Sequence, residues 1–221
     1  MNKKINKFWC FQSEESEKIL RIDGIIAKDS WYEDDVTPKQ FKAELDAQNG
    51  DITVLINSVG GDAFASSQIY NMLRDYGGKV TVKIDSIAAS AASVIAMAGD
   101  EVLMSPLSLI VIHDPCTVAI GNTFEMQKAI EVLSEIKEAI INAYQAKSGL
   151  SRRKIADMMS AETWLNAKKA VELGFADGIM FGNEKEDTPE SLIFSRMSVT
   201  NEILNKLKVK SQTKLADSGP N

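Results

Sequence analysis

The chain has 221 residues, 44% of them hydrophobic and 25% charged, with a net charge of −6. These are the proportions of an ordinary soluble domain with room for a short appendage, and the negative balance argues against a nucleic-acid footprint, which needs clustered Lys and Arg on one face. Two widely separated cysteines, Cys10 and Cys116, and a single histidine, His113, exclude a zinc set and imply free thiols in a reducing compartment.

The N-terminus is basic and then briefly apolar through Phe8-Trp9-Cys10-Phe11, but Gln12, Glu14 and Glu15 end the run too early for a signal peptide. No stretch reaches the roughly 18 apolar residues of a membrane span, so a cytoplasmic protein without membrane contact is expected. Ile19-Leu20-Arg21-Ile22 reads as a strand. Thr37 is a candidate N-cap, with Pro38 at the first helical position and Gln40 placed for a capping box, so a helix should run to about Ala47. Asn49-Gly50 breaks it, and the β-branched run Ile52-Thr53-Val54-Leu55-Ile56 suits a buried strand.

Next comes Asn57-Ser58-Val59-Gly60-Gly61-Asp62-Ala63, expected as a strand-to-helix turn, then a helix with Ile69, Met72 and Leu73 toward the core. Paired glycines permit backbone conformations closed to other residues and expose amide N–H groups, though a tight turn alone would also account for them. Lys79–Ile84 forms another strand and leads into an unusually small-residue stretch around Ser90. Ala91 to Ala98 should be a buried helix with Ser90 at its N-terminus, where unpaired N–H groups favour negative charge.

Strands Glu101–Met104 and Leu109–Ile112 follow, joined by a turn at Ser105-Pro106, and leave His113 at a strand's C-terminal end, where α/β sites are usually built. A long helix should span Thr123 to about Ser148, with Met126, Ile130, Leu133, Ile140 and Tyr144 at helical spacing and Gly149 as its stop. That stripe suits core packing, and its length also suits subunit contact. A short helix follows over Ser151–Met159, and Glu162-Thr163-Trp164-Leu165-Asn166-Ala167 is expected to open another that ends near Gly174. Phe175–Met180 closes the core domain. Beyond Gly182 the composition turns to a charged linker and a tail in which Ile203–Lys208 could form a short basic amphipathic helix.

A serine hydroxyl is a poor nucleophile at neutral pH and needs a base such as neutral imidazole, itself oriented by a third group. Ser90 and His113 offer that chemistry. Serine is common, however, and a lone histidine at a strand end is more often structural, so the residues by themselves leave both readings open.

Several segments, in order, resemble one family: the proteolytic subunit of the Clp protease and its bacteriophage relatives, the ClpP-like head-maturation proteases. Ile56-Asn57-Ser58-Val59-Gly60-Gly61 resembles I-N-S-P-G-G, Ala88-Ala89-Ser90 resembles A-A-S, and Val111-Ile112-His113-Asp114-Pro115 resembles M-I-H-x-P. Trp164-Leu165-Asn166-Ala167 through Ala170-Val171-Glu172, Gly174 and Asp177 is similar to the closing F-L-S-A-x-E-A-V-x-x-G-x-x-D. The resemblance covers roughly residues 19 to 181.

It implies an α/β fold, the ClpP/crotonase-like spiral of strand-strand-helix units with a long protruding oligomerisation helix. The expected layout is an N-terminal segment at 1–18, a peptidase domain at 19–182, and a charged linker and tail at 183–221. It implies a serine endopeptidase with Ser90 as nucleophile, His113 as base and then acid, and the backbone N–H groups of Gly61 and Ala91 as oxyanion hole. The family's aspartate falls on Glu162, with Asp157 and Asp177 as rivals, and Val59 replaces the family's proline. The implied partners are a homo-oligomeric ring, a polypeptide substrate, and either a capsid or scaffold protein or an ATP-driven unfoldase. No metal or organic cofactor is implied, and no ATP-binding loop is present in the sequence. Trp31–Thr37, the Gly60–Phe64 variant and the basic tail resemble the phage or prophage branch. Two alternatives keep the fold: a crotonase-like acyl-CoA enzyme, and an assembly protein without activity. A Ser–Lys peptidase is a further alternative, but no lysine stands out as its base.

Overall fold

A computed structural model describes residues 7–14, 17–26 and 38–181. The segments 31–37 and 183–221, on which the branch assignment, the linker and the tail rest, lie outside the described residues. The elements run β1 (Trp9–Glu14), β2 (Glu17–Ile26), α1 (Pro38–Asp46), β3 (Ile52–Gly61), α2 (Ala63–Arg74), β4 (Val80–Ala89) and α3 (Ala91–Ala96). They continue β5 (Glu101–Met104), β6 (Leu109–Ile112), α4 (Thr123–Ser148), α5 (Arg152–Ser160), β7 (Thr163–Asn166), α6 (Ala167–Glu172) and β8 (Gly178–Ile179).

The strands form one mixed sheet. β2, β3, β4, β5 and β8 pair in parallel in that order, and β1 adds an antiparallel edge to β2. Past Ile84 strand β4 changes neighbour: its first half pairs with β5 and its second half, Ile87–Ala89, pairs with β6, which then pairs antiparallel with β7. Strands buried on both faces read as continuous apolar runs, as Ile52–Ile56 does. Ile22, Ile56, Val82 and Ile84 are fully buried and meet Ile69 and Leu73 of α2 and Ile95 of α3 in one core. Each contributes roughly 1.5–3 kcal/mol by leaving water.

The expected helices over α1, α2 and α5 and the strands β5 and β6 are present within a residue or two. Helix α4 spans Thr123–Ser148, with a capping box between Asn122 and Glu125 at its start and a left-handed Gly149 at its end. Its inner end is buried through Ile141, Ala143 and Tyr144, whereas Phe124, Ile130 and Val132 stand exposed.

Three expectations change. The glycine segment is not a free turn: β3 runs on to Gly61 beside β2, with a bulge after Gly24, and the turn begins only at Asp62, which caps α2. Residues 163–166 are a strand, not the opening of a helix. Asn166 is the N-cap of α6, accepting from the Lys169 N–H at 2.9 Å, so Trp164 and Leu165 precede the helix and fill β7, with Leu165 buried. At the N-terminus Phe8 and Trp9 are buried and β1 is paired, a strand that the short apolar run does not announce.

Candidate active site

The glycine segment is held by Ser58, whose hydroxyl donates to the Gly24 carbonyl at 2.5 Å and accepts from the Gly60 N–H at 3.1 Å. Gly60 has φ 93°, and a Cβ there would lie 2.5 Å from the Ala89 oxygen and 2.7 Å from Ser90 Cβ. Only glycine allows this backbone to lie against the Ser90 turn.

Ser90 follows β4 and caps α3 in an unusual conformation, φ 55° and ψ −125°. Its N–H donates to Val111 O at 2.9 Å, and its side chain makes no capping bond. The hydroxyl is therefore not consumed by the helix it precedes. Among the described residues only Ser90, Glu162 and Phe181 are non-glycine residues with positive φ. Such conformations cost on the order of 1–3 kcal/mol and cluster at functional sites.

Strand register assembles the remaining groups. Ala89 ends β4 opposite Val111, so Ser90 is the first residue past a strand that neighbours β6. His113 is the first residue past β6 and Glu162 the residue before β7, and Ile112 pairs with Thr163, so both leave the ladder at the same end. Three adjacent strand ends thus carry the serine, the histidine and the glutamate.

The His113 ring places Nδ1 2.6 Å from the Asp114 carbonyl oxygen. A carbonyl can only accept, so Nδ1 carries a hydrogen; in the neutral ring the lone pair then lies on Nε2, the tautomer a general base needs. Asp114 is itself held: Lys137 Nζ of α4 lies 2.7 Å from Oδ1, and Ser160 Oγ of α5 donates to Oδ2 at 3.1 Å. Glu162 Oε1 accepts from Trp164 Nε1 at 3.4 Å. The rival Asp177 accepts from Val102 N–H at 2.6 Å and pairs with Lys147 at 2.5 Å, which commits it to joining α4 to β5. Asp157 lies within α5, off the register that faces His113.

Ser90, Ala91, Gly61 and His113 line one cleft of about 550 Å³. Phe64, Val94, Val118 and Ile136 give it an apolar wall, and Glu162 is not part of that wall. Among the described residues no three His, Cys, Asp or Glu side chains gather to hold a metal ion, and no helix is long and apolar enough to cross a membrane. The arrangement suits acyl transfer: a hydroxyl, an imidazole and backbone N–H groups at a helix start open on a space sized for a side chain and its carbonyl. Sequence reasoning missed Ser58, the Asp114 carbonyl and the Lys137–Ser160 pair. Ser58 alone carried a signal, a serine two residues before a glycine.

The Clp protease family model matches residues 14–183. The ATP-dependent Clp protease proteolytic subunit 1 of Chlamydia muridarum is 31% identical over 151 residues, covering 65% of this chain and 77% of that protein. The ATP-dependent Clp protease proteolytic subunit of Ligilactobacillus salivarius is 34% identical over 145 residues, covering 64% and 74%. The solved structure of a ClpP1 point mutant from Listeria monocytogenes superposes with a TM-score of 0.63 at 22% identity, over 73% of this chain and 90% of that one, a likeness of fold.

Proposed function

The chain belongs to the Clp protease family of serine endopeptidases, and on that premise we propose that it hydrolyses peptide bonds with Ser90, His113 and Glu162, in a ring of its own copies. The observation that carries the site is the strained Ser90, its hydroxyl making no capping bond, on the same cleft as His113 and Gly61. His113 Nε2 takes the proton from the Ser90 hydroxyl as Oγ attacks the substrate carbonyl carbon. The oxyanion that forms is held by the N–H groups of Gly61 and Ala91, each donor worth on the order of 3 kcal/mol. His113 returns the proton to the leaving amine as the C–N bond breaks. Water, deprotonated by His113, then cleaves the acyl-serine ester and releases the carboxylic acid. Glu162 stabilises the imidazolium that exists between these steps.

The relatives are named as subunits and as ATP-dependent. Exposed Val118, Ile120, Phe124 and Ile130, on α4 and the segment before it, supply an apolar face for contact between copies. ATP use belongs in this reading to an unfoldase partner that feeds the ring. Within the family we place the chain in the phage or prophage branch, with a capsid or scaffold protein as substrate. The support is the Gly60–Phe64 variant together with Trp31–Thr37 and the charged tail with its basic stretch Ile203–Lys208 in the sequence.

Intact-mass detection of fluorophosphonate labelling tests the site. Wild type gains one probe mass, whereas Ser90→Ala and His113→Ala of the same oligomeric state do not. An assembled wild type that stays unlabelled would overturn the proposal. Co-expression with a capsid precursor tests the branch: cleavage only of generic unfolded substrates such as casein returns the chain to the housekeeping side of the family.

A further inference from the structure

Beneath the nucleophile, a chain of hydroxyls runs through the core. Ser93 Oγ donates to the Ser90 carbonyl oxygen at 2.6 Å and lies 2.8 Å from Tyr144 Oη. The directions follow by elimination. The Ser90 carbonyl can only accept, so the single Ser93 hydroxyl hydrogen goes to it, and the Tyr144 O–H must donate to Ser93 Oγ. Ser93 is fully buried and Tyr144 is 1% exposed. Burial raises the Tyr144 phenol far above its ordinary range, so it remains a donor at any working pH.

The carbonyl at the end of this chain belongs to the peptide that joins Ser90 to Ala91. No peptide bond among the described residues is cis, so the Ser90 C=O and the Ala91 N–H point in opposite directions across one rigid plane. Three donors hold the oxygen: Ser93 N–H at 2.9 Å, Val94 N–H at 3.4 Å and Ser93 Oγ at 2.6 Å. The shortest is the hydroxyl. Turning this peptide plane would move the Ala91 N–H away from the cleft that Ala91 lines with Ser90. The unusual φ and ψ of Ser90 make such a turn a relaxation, because conformations of that kind persist only where their surroundings over-determine them.

We infer that Ser93 and Tyr144 are positioning residues for catalysis, a hydroxyl relay from the inner end of α4 that aims the Ala91 N–H at the oxyanion. The inference rests on the proposed roles of Ser90 and Ala91. Two buried hydroxyls that merely satisfied one another would affect stability alone, whereas a relay affects the transition state and leaves substrate binding in place.

The test compares Ser93→Ala, Tyr144→Phe and the double variant on the assembled full chain. It uses a fluorogenic peptide, a peptidyl boronate as tetrahedral analogue, and sedimentation to verify the oligomer. Each substitution deletes one hydroxyl and keeps the carbon skeleton, and Tyr144→Phe is the milder of the two. Expected are a fall in kcat of about tenfold for Ser93→Ala and about threefold for Tyr144→Phe, with KM within about twofold and boronate affinity falling in step with kcat. The double variant should match Ser93→Ala, because the relay is already broken there. Wild-type kcat in both single variants, whatever their melting temperatures, overturns the relay. Ser90→Ala in the same assay separates the two claims: if it retains turnover, the assignment of Ser90 fails and not the relay alone.

Discussion

Replacing Gly60 by alanine probes how closely the glycine segment and the nucleophile turn depend on one another. At φ 93° an alanine is strained by about 1–3 kcal/mol. Its Cβ would also lie 2.5 Å from Ala89 O, 2.7 Å from Ser90 Cβ and 2.9 Å from Ala91 N, that is, against the proposed nucleophile, a proposed oxyanion donor and the residue before them. Reaching an ordinary contact of 3.4 Å requires a shift of about 0.9 Å at the first of these. A misplacement of about 1 Å can cost on the order of a hundredfold in rate. A stability loss of about 2 kcal/mol corresponds to roughly 4–8 °C in Tm for a chain of this size. Fluorophosphonate labelling rates, measured well below the melting point, should therefore fall about a hundredfold for Gly60→Ala. Gly149→Ala is the matched control, because Gly149 has φ 70° but open space around it, so strain of about 1 kcal/mol should appear in Tm with no change in labelling. Labelling of Gly60→Ala at the wild-type rate would show that the approach of the two segments is not needed for reactivity.

Glu162→Gln should lower kcat by about tenfold to a hundredfold, not abolish it, because the Asp114 carbonyl already holds the His113 tautomer; a loss as complete as that of Ser90→Ala would mean the carbonyl contributes nothing. Burial raises the Glu44 carboxyl, but hydrogen bonds from Lys7, Trp9 and Gln40 outweigh it and its pKa falls below the usual 4.5. A folded pKa below the unfolded one gives stability that is present above 4.5 and lost as pH falls through the folded value. Glu44→Gln should therefore melt below wild type at pH 7, and thermal scans should show the gap closing under acid; a gap constant across pH would contradict the sign. Phe124→Glu places a charge on the exposed apolar start of α4, where Phe124 is 75% exposed, and should shift sedimentation to smaller species while the far-ultraviolet dichroism stays that of wild type.

The sequence reveals the elements whose signals are local. Asn49-Gly50 and Gly149 mark ends, β-branched runs mark β3 and β4, and the apolar spacing of α4 spans its whole length. Local signals fail where two periods compete over a few residues. Trp164 and Leu165 fit a helix face and a buried strand equally well, and what decides between them is Asn166 capping α6 together with antiparallel partners on β6. Ser90, His113, Gly61 and Ala91 line one cleft, and it is the ordered resemblance of their motifs to the family that singles them out, since a serine and a lone histidine by themselves leave a structural reading open. The hydroxyl relay is not legible: Tyr144 satisfies the apolar stripe of α4, and nothing in a periodic pattern says that its Oη meets Ser93.

The histidine and the acid depend on a different kind of information. Glu162 is placed by the register of β7 and the turn before it, since Thr163 pairs with Ile112, and a slip of one residue on β7 would bring a different side chain to the end of the ladder that His113 leaves and turn Leu165 out of the core. On the proposed assignment, burial of Leu165 therefore protects the spacing of the histidine and the acid, although Leu165 is not among the residues proposed to react. Strand β6, the partner of β7, also holds the proposed nucleophile from the other side, through Ala89 opposite Val111 and the Ser90 N–H on the Val111 carbonyl. A four-residue strand, β6, thus spaces the serine, the histidine and the acid at once. Substitutions that loosen its packing at Ile110 or Ile112 should lower kcat by more than their cost in stability implies. Plotting log kcat against the change in unfolding free energy for Ile110→Val and Ile112→Val, with Ile155→Val of α5 as reference, checks this. If all three fall on one line, β6 serves the core and has no special hold on the site.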